Sequence, residues 1–158
     1  MGILTIYLDK ATNLKDKDTI GKSDPYVKFE LEQDNLLFDK DHGEMKSTTK
    51  SGELNPVYGE YCIQQIHRVC AISFSHFVCF FLSLKGETFH FNIPTLDNMV
   101  LSVKVMDDDI VSDDKMGKCK IKLEKLGLSE TPMEVEEKVY NRIFGKDSYV
   151  HLQLSYTE

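Results

Sequence analysis

The chain has 158 residues, enough for one domain with a real core, and carries a net charge of -7 with a pI near 5.2. So acidic a surface excludes a nucleic-acid binder working through bulk charge, because phosphate contacts need a basic face. The four cysteines (Cys62, Cys70, Cys79, Cys119) form no C-x-x-C pair, which removes zinc and redox spacings; with no charged n-region and apolar core at the start, a cytoplasmic setting is expected.

Residues 3–8 (ILTIYL) are apolar with β-branched and aromatic members and read as a first strand, followed by a long polar loop over 9–24. PYVKFELE at 25–32 alternates strictly, with Tyr26, Lys28, Glu30 and Glu32 on one face and Val27, Phe29 and Leu31 on the other. That pattern is a half-buried antiparallel strand. Residues 33–43 read as a connection and 44–50 (EMKSTTK) as a weak polar strand. LNPVYGE at 54–60 is a turn leading into a strand, since the residue before Pro56 is pushed to extended geometry. Further strands fall at 88–93 (TFHFNI), 99–107 (MVLSVKVMD), 117–123 (GKCKIKL) and 149–156 (YVHLQLSY), with a helical turn near Leu126 and a strand at 135–140 between the last two. Short strands separated by turn signals indicate an antiparallel sandwich.

Between two of these strands, 106–117 (MDDDIVSDDKMG) crowds Asp107, Asp108, Asp109, Asp113 and Asp114 into one loop. Like charges so close raise one another's pKa, and a cation is the natural remedy; the bland alternative is a solvated acidic turn. Calcium fits, being a hard ion that accepts an irregular cage of about 6 to 8 oxygens. A second pair of aspartates, Asp18 and Asp24, lies upstream in NLKDKDTIGKSDPYVKFELE. Two such loops meeting at one rim of a sandwich would build one site. An EF-hand starting at Asp16 fails, because Ile20 and Val27 stand where ligands are needed.

With both loops in view, the chain resembles the C2 domain, the calcium-dependent phospholipid-binding β-sandwich. The motifs that carry the resemblance are GILTIYLDKATNL, GKSDPYVK at 21–28, LNPVY at 54–58 and VKVMDDDIVSDDKMG at 103–117, in that order. The resemblance implies an eight-stranded antiparallel sandwich spanning 1–158 as a single domain, in the circularly permuted (type II) topology. It also implies calcium ligands at Asp18, Asp24, Asp107, Asp109 and Asp114, with Asp113 the alternative to Asp114, and backbone carbonyls of Lys17 and Asp108. Ile20, Ile110 and Val111 fall at the loop tips, either inserted into lipid or packed inward.

One block departs from that pattern. Residues 61–84 (YCIQQIHRVCAISFSHFVCFFLSL) hold three cysteines and four phenylalanines but no Asp, Glu, Gly or Pro. Gly59-Glu60 recurs as Gly86-Glu87, so removing 61–87 joins NPVYGE to TFHFNIP and restores one strand. The uncharged run 69–84 is shorter than the roughly 20 residues of a membrane-spanning helix. A helical hairpin or interfacial segment remains open, and translated non-coding sequence such as an unspliced intron is the favoured reading.

The sequence therefore points to a non-enzymatic module that docks on anionic phospholipid membranes when calcium neutralises its loops, reversibly recruited from the cytoplasm. The alternative is a calcium-independent protein-interaction domain of the same fold, and a protein partner is compatible with either. The five histidines stand near no nucleophile motif. Lys28, Lys46 and Lys50 form a basic patch, read first as solubilising and second as a phosphoinositide contact.

Overall fold

The computed structural model describes residues 1–16, 22–35, 39–64, 81–109, 112–140 and 147–158, with 60–64 and 81–85 as backbone alone. The strands are β1 (Gly2–Thr12), β2 (Pro25–Gln33), β3 (Lys40–Lys46), β4 (Glu60–Gln64), β5 (Phe81–Lys85), β6 (Glu87–Ile93), β7 (Met99–Asp107), β8 (Asp114–Lys122), β9 (Met133–Val139) and β10 (Ser148–Thr157). Eight of them form two four-stranded antiparallel sheets, ordered β6-β1-β10-β9 and β3-β2-β7-β8. The remaining two, β4 and β5, pair only with each other. These eight make the antiparallel sandwich that the alternating pattern indicates, with the strand number that the resemblance implies.

Alternation decides which residues fill the space between the sheets. Leu4, Ile6 and Leu8 of β1 meet Val27, Phe29 and Leu31 of β2, and all six are fully buried. Phe29 and Phe89 bring the two layers together directly, with ring centroids 4.9 Å apart and planes at 49°, the tilted arrangement aromatic pairs prefer. As a central strand, β7 is buried along nearly its whole length.

Two of the quoted motifs brace each other. Asn13 sits at φ 55°, a left-handed conformation that asparagine tolerates, and its N–H donates to the Asn55 side-chain oxygen at 2.8 Å. Leu14 N–H donates to the Leu54 carbonyl and Ala11 N–H to the Pro56 carbonyl. The 54–58 run is thus the splint for the exit of β1, which launches the first acidic loop.

The structure departs from the sequence reading in two places. β3 lies at Lys40–Lys46 rather than 44–50. It stops at Lys46 because the Ser47 hydroxyl takes over the Val27 N–H at 2.8 Å, a side-chain competitor for the ladder. Tyr26, expected on the exposed face, is buried. The stretch 54–60 forms the bridge Lys10↔Val57 and enters the strand β4 at Glu60; the helical reading of 61–84 falls mostly on residues outside those described.

Truncating Phe29 to alanine removes the side chain that both layers pack upon. The expected loss is about 3–5 kcal/mol of unfolding free energy, read by denaturant melts; a loss below about 1 kcal/mol would show that the two sheets do not share this core.

Candidate metal centre

The register of the second sheet sets the acidic rim. Pro25 pairs with Asp107, and Asp107 pairs in turn with Asp114, so the start of β2, the end of β7 and the start of β8 lie side by side. The loops that precede β2 and follow β7 therefore open from the same end of the sandwich. Asp24, Asp107, Asp108, Asp109, Asp113 and Asp114 all belong to this rim. Asp18, Lys17, Ile20, Ile110 and Val111 lie outside the described residues.

Hydrogen bonds stitch the two loops together. Asp24 N–H donates to Asp107 Oδ1 at 2.7 Å, and Asp108 N–H returns a bond to the Asp24 carbonyl at 3.0 Å. The first uses a carboxylate as acceptor, the charge-assisted kind. Gly52 N–H donates to Asp24 Oδ1 at 2.7 Å and Thr49 Oγ1 to Asp108 Oδ2 at 2.8 Å. Tyr26 donates its hydroxyl to Asp113 Oδ2 at 2.6 Å. Upstream, the Asp16 carboxylate accepts from both the N–H and the hydroxyl of Ser23.

Asp107 is the anomaly. Only 1% of it is exposed, and among the described residues its buried Oδ2 has no hydrogen-bond partner, although a buried carboxylate oxygen left unsatisfied is costly. Desolvation, followed by the charges of Asp107, Asp114, Asp113 and Asp108, pushes the Asp109 carboxyl above its usual range. Orphaned acceptor and mutual repulsion have one common remedy, a cation, and the all-oxygen donor set suits a hard one. Among the described residues no three carboxylate, histidine or cysteine side chains come together as a complete cage. In kind, the carboxylate and carbonyl oxygens that the described residues bring to the rim fit a hard cation such as calcium.

Tyr26, Thr49 and Gly52 escaped the sequence reading. Tyr26 was placed on the outer face by simple alternation, and only the Asp113 contact shows why it is covered. The K-S-T-T-K run looked like an ordinary polar strand. The lysines of the basic patch are engaged by neighbours of the domain itself: Lys28 bonds Glu44 at 2.6 Å and Glu30 at 3.3 Å, while Lys46 and Lys50 stand over the Tyr26 and Tyr58 rings.

In comparisons with known proteins, residues 2–78 and 86–141 match the family described as "C2 domain". Synaptotagmin-9 of Rattus norvegicus is 34% identical over 131 residues, covering 80% of this chain and 20% of its own length. This chain spans about a fifth of that relative. A C2 domain of plant Extended Synaptotagmin 1 superposes with a TM-score of 0.68 over 98% of this chain and 93% of that one, at 22% identity. A calcium-bound structure of two C2 domains of Extended-Synaptotagmin 2 gives 0.61 over 98% of this chain and 45% of that one, at 19% identity. At these identities the structures show a shared fold.

Burial and the Asp113 bond push the Tyr26 phenol up to about 12. The unfolded phenol ionises near 10, so between about pH 10 and 12 the unfolded state has lost a proton that the folded state keeps. Stability therefore falls as pH rises through that window. Tyr26→Phe is expected to flatten the fall by about one proton in a pH series of denaturant melts; an unchanged slope would mean that Tyr26 does not hold its proton against Asp113.

Proposed function

The chain belongs to the C2 domain family, and on that footing we propose that it docks on anionic phospholipid membranes when calcium fills the rim between its two acidic loops. The observation that carries this reading is Asp107, a buried carboxylate with one oxygen that has no partner among the described residues. Asp18, Asp24, Asp107, Asp109 and Asp114 are the proposed side-chain ligands, with the carbonyls of Lys17 and Asp108. Asp114 is preferred over Asp113 because it stands opposite Asp107 in the register, whereas Asp113 Oδ2 is already engaged by Tyr26.

Calcium at this point would supply positive charge where the loop is most negative, changing the rim from repelling anionic headgroups to attracting them. The protein's part is positional. Backbone donors hold Asp24 and Asp107 in place, and the second sheet carries Asp107 at the end of β7 and Asp114 at the start of β8, with Asp109 in the loop between them. Ile20, Ile110 and Val111 are the proposed apolar contacts at the loop tips. Among the described residues no helix is long and apolar enough to cross a membrane, and recruitment from the cytoplasm to the membrane surface is reversible in this reading. It assigns no catalytic step. The order β6-β1-β10-β9, with the C-terminal strand between β1 and β9, supports the permuted topology.

Liposome sedimentation with and without chelator tests the proposal, paired with thermal melts. Because calcium binds the folded form, it should stabilise by about 2.7 kcal/mol at a hundredfold excess over Kd. The Asp107→Asn, Asp109→Asn pair is expected to lose both the stabilisation and the sedimentation while melting no lower than the parent in chelator. Lipid binding that persists in chelator would contradict the proposal and favour the calcium-independent alternative.

A further inference from the structure

The segment between β3 and the Val57 bridge touches both acidic loops, and nothing in the proposed ligand set includes it. Its first part is laid along β2: Ser47 N–H donates to the Val27 carbonyl at 2.8 Å and Lys50 N–H to the Pro25 carbonyl at 3.0 Å. From that rail it reaches outward twice. Thr49 Oγ1 donates to Asp108 Oδ2, and Gly52 N–H donates to Asp24 Oδ1. Gly52 has φ +68°, the left-handed region that favours glycine. The far side is anchored by Glu87 at the start of β6, whose carboxylate accepts from Thr48 N–H at 2.8 Å and from the Thr48 hydroxyl. One end of the bracket thus rests on the first sheet and its tip on the rim of the second.

We propose that residues 47–52, anchored by Glu87, form a bracket that positions Asp24 and Asp108 for calcium, with Thr49 and Glu87 as positioning residues. Gly52 fixes which way the Asp24 carboxylate points. Thr49 pins the Asp108 side chain and with it the peptide whose carbonyl is a proposed ligand. Partners of this outer kind orient the groups that bind a metal, and losing one typically lowers metal affinity about 10- to 100-fold. This inference rests on the calcium reading above.

Isothermal titration of the full chain with calcium alone separates the two. Thr49→Val keeps the side-chain shape and removes the donor, and it is expected to weaken calcium binding about 10-fold with the melting temperature in chelator unchanged. Thr49→Ser restores the hydroxyl and is expected to restore affinity, a rescue that a packing role would not give. Glu87→Gln, which replaces one of the anchor's two accepting oxygens by a donor, is expected to weaken binding in the same direction. Calcium binding by the parent with undiminished binding by Thr49→Val overturns the bracket alone. Absence of binding by the parent overturns the calcium reading and the bracket with it.

A second inference is carried by register. Along β1, Lys10 faces Val57, the Asp9 carbonyl accepts both Tyr58 N–H (2.7 Å) and Gly59 N–H (2.8 Å), and Leu8 and Tyr7 face Glu87 and Thr88. None of the described residues from 60 to 86 takes a position in that ladder; the separate sheet starts at once, with Glu60 against Lys85. Gly59 and Gly86 both lie against the Tyr7 ring, where a Cβ on Gly59 would come 2.5 Å from the hydroxyl oxygen and one on Gly86 would overlap the ring. Exit and re-entry are therefore one point of one strand. The family match runs on through 61–78 and is interrupted only over 79–85 before it resumes at 86.

The geometry points to 61–87 as an insertion the domain does not need. Removing it leaves Glu60 in the place of Glu87, directly after a glycine, with Thr88 next in the ladder. The deleted chain is expected to fold with the same β1 pairings, read by hydrogen-exchange protection of the β1 and β6 amides, and to melt no lower than the full chain. A deleted chain without protected β1 amides would overturn the inference and make the block part of the fold.

Discussion

Everything at the rim depends on a carboxylate that the fold buries at the end of a central strand. Asp107 closes β7, and the same register that pairs it with Pro25 and Asp114 leaves it almost wholly covered. One of its oxygens accepts the Asp24 N–H and so joins the two acidic loops; the other has no donor among the described residues. A structure that satisfies half of a buried carboxylate and follows it with Asp108, Asp109, Asp113 and Asp114 is strained electrostatically. The hydrophobic sandwich beneath holds that arrangement in place. Binding a cation would relax it, and this is the sense in which site and fold are one construction.

Much of the sandwich was readable because period-2 alternation is a strong signal in half-buried strands. MVLSVKVMD matched β7 to the residue, and YVHLQLSY matched β10 to within one residue at each end. The polar edge was less legible. β3 was displaced by four residues because its sequence KDHGEMK has no apolar face, and its end is set by the Ser47 hydroxyl, a contact twenty residues distant along the chain. Tyr26 misled for the opposite reason: alternation put it outside, where Asp113 and Lys46 cover it.

At the site, spaced aspartates point to a hard cation, since carboxylate chemistry is local. The bracket was invisible to the same reasoning. Thr49 and Gly52 act through single hydrogen bonds across gaps of 59 and 28 residues, and no spacing rule reports such pairs. Similarly, the repeated Gly-Glu dipeptide hinted at an inserted block, but only the β1 ladder shows that its two ends meet beside Tyr7.

Backbone amide resonances of the full chain during a calcium titration test the central claim most directly. The Asp24 and Asp108 amides, each bonded to an acceptor in the opposite loop, are expected to shift together and saturate at one calcium concentration, with β9 and β10 unmoved. Shifts absent from both amides, or confined to another part of the sandwich, would contradict a calcium site at this rim.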